Sequence, residues 1–388
     1  MAEGRSPMES MAMNDHFWKN KKVFLTGHTG FKGSWCVLWL KSLGADITGY
    51  SLEPPTRPSL FESARVDEGI RSVIGDIRDF QYLKKCLGET APDIVIHMAA
   101  QPLVRKSYQD PVGTYATNVL GTVHLLEAVR QGTGDPVVIN ITTDKCYENK
   151  ELDRGYRENE PLGGADPYSS SKACSEIATS AYRDSYFRSK DGRARGVALA
   201  TCRAGNVIGG GDWAEDRLVP DIVRALMDGR EVIIRNPNSV RPWQHVLDPL
   251  NGYFTLIEKL FENRSQYAEA WNFGPDEDAA KPVSWIVDQL FMFWGKKSFW
   301  KKDQNDNPHE ANLLKLNCSK AKSRLGWRPK LGLEEALRWT AEWFKAYAGG
   351  GDMRQFSESQ IRKFMEAGYV PAKTGESKVL KEAHVSCS

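Results

Sequence analysis

Four side chains in two short stretches could together carry out a redox step and an elimination: Asp144 and Lys145 in the first, Tyr168 and Lys172 in the second. Residues four apart project from one face of a helix, so Tyr168 and Lys172 can address one bound ligand. A cation held near a phenol favours phenolate and lowers its pKa, which turns an inert tyrosine into a general base able to take a proton from a sugar hydroxyl. Thr142 and Thr143 precede Asp144 and offer hydroxyl groups to the same place, with Asp144 as an acid and Lys145 as a candidate base. The spacing is not diagnostic alone. Tyr186 and Lys190 repeat it beside a charged, Gly-containing stretch that reads as a solvated helix end. The elements around each pair must therefore decide.

Gly27, Gly30 and Gly33, with His28, Phe31 and Lys32 between them, lie between an apolar run at 22–26 and a helical pattern at 34–43. Glycines let a backbone approach a pyrophosphate, and a helix N-terminus adds free N–H groups and a positive dipole, so this loop is a candidate dinucleotide site. An acid about 20 residues on would accept the ribose hydroxyls. The second strand ends in Tyr50 and Ser51, and the first acid is Glu53, so NAD is the expected cofactor, with Arg57 the residue an NADP site would use. Asp76 and Ile77 follow the third strand, where a carboxylate could accept from the adenine amino group. Ala99, Ala100 and Gln101 follow the fourth, where small residues let the backbone pass close to a dinucleotide. Asn118 sits mid-helix, where Asn is a poor former, and reads as a cofactor residue, the alternative being a local bridge between helix and sheet. Thr142, Tyr168 and Lys172 complete the expected cofactor set.

These residues need a scaffold, and the rhythm of the chain supplies it. Strand patterns at 22–26, 46–50, 72–74, 94–97, 137–142 and 196–203 alternate with helical ones at 34–43, 79–87, 113–131 and 167–187. That is the signature of βαβ units: an α/β fold, a Rossmann-type doubly wound parallel sheet covered by helices on both faces. After residue 205 the pattern changes to Gly-rich loops, Trp, Pro and Asn, with helices at 218–228, 283–293, 333–347 and 354–368. We expect a dinucleotide domain over 18–205, with 240–265 returning to it, and a smaller, interleaved substrate-binding lobe over 206–239 and 266–350. Residues 1–17 and 371–388 read as disordered tails.

Composition narrows the function classes. The chain has 388 residues, 41% of them hydrophobic, and a formal charge of +2, with no basic stripe, so nucleic acid is not expected as a partner. The seven cysteines are odd in number and form no C-x-x-C pair, which argues for a reducing, cytoplasmic setting and against a disulfide framework or structural zinc. Residues 1–19 lack the apolar core of a signal peptide, and no run of about 18 apolar residues exists, so no membrane association is expected.

With these segments in hand, residues 18–344 resemble the extended short-chain dehydrogenase/reductase superfamily and, within it, the nucleotide-sugar 4,6-dehydratases, those acting on CDP-glucose above all. The resemblance rests on TGHTGFKGSW at 26–35, TTDKCY at 142–147, YSSSK at 168–172, RAGNVIGGGDW at 203–213 and VRPWQHV at 240–246. Epimerases of the superfamily share the glycine loop and the Tyr/Lys pair but not Asp144 followed by Lys145. Related glucose dehydratases carry Glu at the position of Lys145, and a small residue at that of His28.

The resemblance implies a lyase that recycles NAD. Tyr168 takes the 4-hydroxyl proton of CDP-glucose, Thr143 hydrogen-bonds that oxygen, Lys172 holds the nicotinamide ribose, Asp144 protonates the leaving 6-hydroxyl and Lys145 removes the C5 proton. For these roles the Asp144 carboxyl must be protonated and the Lys145 amine neutral. It also implies that Asn206, Arg217 and Arg241 bind the nucleotide sugar, with Arg235 and Gln244 as further candidates, because guanidinium groups grip phosphate oxygens in a fork. Trp243 could stack on the base, while His97, His124 and His245 read as packing residues, and no metal is expected. Helices 113–131 and 167–187 are where related enzymes pair as homodimers or homotetramers. The remaining alternatives are a 4-epimerase, a dehydratase for another nucleotide, or a non-catalytic dinucleotide-binding scaffold.

Overall fold

A computed structural model describes residues 15–188, 196–304 and 313–367. Seven strands form its sheet: β1 (Lys22–Thr26), β2 (Asp46–Ser51), β3 (Arg71–Ile74), β4 (Ile94–His97), β5 (Val137–Ile141), β6 (Ala198–Arg203) and β7 (Ala270–Asn272). Their order is β3-β2-β1-β4-β5-β6-β7, and every pairing is parallel. Val23 and Leu25, Ile94 and Ile96, and Val137 and Ile139 pack on one face. Phe24, Val95 and Val138 pack on the other. Burial on both faces explains why these strands read as unbroken apolar runs.

Helices α1 (Phe31–Ser42), α2 (Phe80–Thr90), α3 (Gly121–Gln131), α4 (Pro167–Tyr182), α5 (Leu218–Asp228), α6 (Leu247–Glu262), α7 (Val283–Trp294), α8 (Leu333–Ala348) and α9 (Met353–Glu366) clothe the sheet and build the lobe. Trp35, Trp39, Phe254 and Trp343 of α1, α6 and α8 share one core. Leu83, Leu125 and Val129 of α2 and α3 share the opposite one. Three two-stranded ribbons extend the structure beyond the sheet, pairing Val207–Ile208 with Gln244–His245, Val240–Pro242 with Ala280–Pro282, and Val232–Ile234 with Trp300–Lys302.

Three expectations change. Asp15–Trp18 is helical, and Trp18 is fully buried with its Nε1 donating to Glu258 at 2.8 Å, so residues 15–17 are not part of a tail. Ala270–Asn272, expected in the lobe, is the edge strand of the main sheet. The helix expected over 113–131 is Pro111–Tyr115, a π-turn at Ala116–Leu120, and α3. Residues 371–388 and Lys190 lie outside the described residues, whereas Tyr186 is half exposed at the end of the α4 segment.

Candidate active site

The order β3-β2-β1-β4 reverses direction of winding at β1 and β4, and ligands of such sheets bind at the carboxyl ends beside that point. There the chain leaves β1 into Gly27, at φ +83°, where a Cβ would lie 2.7 Å from the amide nitrogen of Ala99. A Cβ on Gly33 would lie 2.1 Å from the carbonyl oxygen of Gly27. Only glycine fits either place. Gly30 is the N-cap of α1 and uses no side chain to cap it, which leaves a bare helix N-terminus facing the loop. The cradle fits the pyrophosphate of a dinucleotide.

From this loop opens a cleft of about 1500 Å³, large enough for two ligands of nucleotide size. Asp76, Ile77 and residues 99–101 line it, as do Asn206, Arg217, Arg235 and Arg241. Thr142, Thr143, Asp144, Lys145, Tyr168 and Lys172 line it too. Two elements bring these six together. β5 ends at Ile141 and turns through Asp144–Cys146, whose N-cap Thr143 accepts from the Lys145 amide. α4 starts at Pro167 under an Asp166 cap that accepts from the Ser169 amide at 2.9 Å, which sets Tyr168 and Lys172 on its inner face.

Thr143 donates to the Asp144 carboxylate at 3.0 Å, and its hydroxyl also acts on the Tyr168 phenol. Asp144 is 3% exposed and packs on Gly205, where a Cβ would lie 1.9 Å from its Oδ2. Lys172 Nζ donates to the Ile141 carbonyl at 3.0 Å. Burial pulls the Lys172 ammonium down to about 8, against the charge of Glu176. Burial pushes the Tyr168 phenol up to about 12, against Thr143 and Arg217, which pull it down. Lys172 is not among the groups that act on the phenol, and desolvation outweighs Thr143 and Arg217, which do. Lys145 is half-buried, and among the described residues neither it nor Asp144 makes an ion pair. Among the described residues no group of His, Cys, Asp and Glu could hold a metal.

A family model described as GDP-mannose 4,6 dehydratase matches residues 24–340. The chain is 53% identical to a CDP-glucose 4,6-dehydratase of Salmonella typhimurium, over 92% of this chain and 99% of that one. The chain belongs to the GDP-mannose 4,6-dehydratase family. It is also 28% identical to a dTDP-glucose 4,6-dehydratase of Streptomyces antibioticus over 83% of this chain and 92% of that one. Among solved structures, DesIV, a dTDP-glucose 4,6-dehydratase from Streptomyces venezuelae solved with NAD bound, shares 25% identity at a TM-score of 0.73, covering 85% of this chain and 98% of that one. A UDP-glucose 4-epimerase of Thermotoga maritima, 23% identical at a TM-score of 0.70 over 84% of this chain and 99% of that one, shares the fold.

Within this family member, six expected site residues have side chains engaged elsewhere. The His28 ring is buried against Gly49 and Phe61 and bonds Ser72 at 2.7 Å, so its side chain faces β2 and β3 and not the cleft. Asn118 accepts from the Gln101 amide at 2.8 Å and donates to the Gln101 carbonyl and to Ser171 at 2.9 Å, so it is the bridge that was the alternative reading. The Gln101 side chain folds back on Leu103 and Thr114, leaving only its backbone to the cleft. Gln244 is buried behind Gly205 and donates to the carbonyls of Gly205 and Phe273. The Thr142 hydroxyl, though at the cleft wall, donates inward to Glu176. Arg78 already holds the Asp76 carboxylate through its Nε at 2.9 Å. The histidines behave as read: His97 bonds Thr26 and Thr122, His124 meets the Ile77 carbonyl, and His245 is buried among Trp35 and Trp339.

Sequence reasoning missed two features of the family member's site. Glu176 and Arg203 form a buried ion pair at 2.8 Å beneath the cleft, with Thr142 and Thr201 also donating to Glu176. Glu176 lies on the same helix face as Lys172, four residues on, which was the available signal. Arg105 lines the cleft and pairs with Asp216 across it at 3.1 Å, and nothing in their spacing announces that.

Proposed function

We propose that the chain converts CDP-glucose to CDP-4-keto-6-deoxyglucose and water. The observation that carries this reading is that Thr143, Asp144, Lys145, Tyr168 and Lys172 line one cleft with the glycine cradle. An epimerase needs the Tyr/Lys pair but no acid and base for a second site on the sugar. The 53% identity to a CDP-glucose enzyme supports the choice of nucleotide.

Residues 27–33, Asp76, Ile77 and the backbone of 99–101 would hold NAD, with Lys172 at the ribose. NAD supplies the acceptor for hydride from C4, its donor to C6, and a positive charge in the cleft. Tyr168 takes the 4-hydroxyl proton, with Thr143 acting on the phenol. The C4 ketone acidifies the C5 hydrogen, which Lys145 removes, and Asp144 protonates the 6-hydroxyl as it leaves. Arg217, Arg235 and Arg241 face the diphosphate, and Asn206 and Trp243 line the same cleft. The sheet and its helices carry the dinucleotide in this reading, and the ribbons and helices after residue 205, apart from α6 and β7, carry the nucleotide sugar. Self-association as a homodimer or homotetramer in the cytoplasm belongs to the same reading, supported by exposed Val112, Leu120 and Ile177 on the paired helix segments.

Incubation of the protein with CDP-glucose and NAD should give the alkaline absorbance of a 4-keto sugar. Equal or faster keto-sugar formation from dTDP-glucose or UDP-glucose would overturn the nucleotide assignment, and a 4-epimer without absorbance would overturn the reaction.

A further inference from the structure

Asp144 has a second opening behind it. Besides the main cleft it borders a passage of about 50 Å³, lined also by Gly205, Gln244, Pro242, Ala280 and exposed Glu277. One water needs roughly 10–15 Å³ of such space, so the passage has room for it. Gln244 is 2% exposed. Its Nε2 is used by the carbonyls of Gly205 at 3.2 Å and Phe273 at 3.0 Å, while its Oε1 has no partner among the described residues. A buried amide acceptor is costly to leave unmade, and water is the ordinary remedy.

The reaction creates a need at the same place. Each turnover puts the 4-hydroxyl proton on Tyr168. At Asp144 a proton leaves for the 6-hydroxyl: the C6–O bond breaks, its electron pair departs with oxygen, and water forms. Hydride taken from C4 returns at C6, and the proton removed from C5 is replaced. Tyr168 therefore ends one proton richer and Asp144 one proton poorer, and both must be reset.

We propose that the passage behind Asp144 is a solvent port, in which a water held on Gln244 Oε1 returns a proton from bulk solvent to Asp144 after each elimination. Tyr168 releases its own proton on the cleft side. Gln244 is a positioning residue here, acting through the water. The inference rests on the dehydratase reading. Its competitor is direct transfer through Thr143, which acts on both groups.

Ala280 lines the passage and not the main cleft, so Ala280→Leu narrows the passage from its far side. With full-length enzyme, CDP-glucose and NAD in a rapid-quench experiment, the variant should make its first equivalent of 4-keto sugar at the wild-type rate. Later turnovers should be slower by about 100-fold, at the lower end of what a positioned proton-transfer group contributes, and should show a larger solvent deuterium isotope effect. Ala280→Met, a second filling of the passage that leaves the Gln244 bonds to Gly205 and Phe273 in place, should give the same burst. Wild-type steady-state rates without a burst in either folded variant would overturn the port in favour of Thr143. Failure of the wild-type protein to form any keto sugar would instead sink the dehydratase reading itself.

Discussion

Gly205 sets the position of the Asp144 side chain. An added methyl group there would meet the Asp144 carboxylate at 1.9 Å, and the carboxylate is the movable partner. Gly205→Ala should therefore fold with little loss of stability but lose about 100-fold or more in kcat, since displaced catalytic geometry is expensive and a shifted carboxylate is not. Thermal melting and keto-sugar formation measured together check this. Burial also holds His28 down at about 4, and His97 and His245 at about 3. The unfolded chain protonates these imidazoles near 6.5, so the folded protein binds fewer protons below that point. The associated stability is complete above pH 6.5 and is lost as pH falls towards 3, on the order of 3–5 kcal/mol for each imidazole. In His245→Gln, urea unfolding at stepped pH should show a slope flatter by about 1.4 kcal/mol per pH unit between pH 6 and 4. That Tyr168, Lys172, Asp144 and Lys145 meet at one cleft was legible because a strand pattern ends just before the one pair and a helical pattern carries the other. His28, Asn118 and Gln244 were not, because what they do is decided by Ser72, Ser171 and the Phe273 carbonyl, which no local pattern brings near.

α4 is seated on the sheet by polar contacts as much as by apolar ones. Asn140 of β5 donates to Ser175 and Thr179, and Arg203 of β6 donates to Glu176, all on the buried face of the helix. The Glu176 and Arg203 side chains are 3% and 4% exposed, so removing one partner strands the other's charge. Arg203→Met should cost roughly 3–5 kcal/mol in denaturant unfolding, and Arg203→Met combined with Glu176→Leu should recover much of it. Strands were legible at this scale because double-sided burial writes itself as runs of Val and Ile. The π-turn at Ala116–Leu120 was not, since its i to i+5 bonding leaves the helical periodicity of 113–131 almost intact.

Across the molecule, the sheet and the segments after residue 205 enclose one cleft, and Arg105 with Asp216 spans it. The change of rhythm after residue 205 announced the ribbons that leave the main sheet, but a three-residue strand such as β7 is too short to leave a period. That strand has a consequence for how the protein is made. β6 emerges from the ribosome with all six of its residues destined for burial, yet its neighbour β7 follows about 70 residues later. At 5–20 residues per second that interval is on the order of 3–14 s. Throughout it the nascent sheet carries an unpaired apolar edge, the kind that recruits other chains. Synthesis that stalls between residues 203 and 270 thus leaves Thr201–Arg203 unpaired, and the arrival of Ala270–Asn272 covers those three residues and moves the open edge to a strand only three residues long.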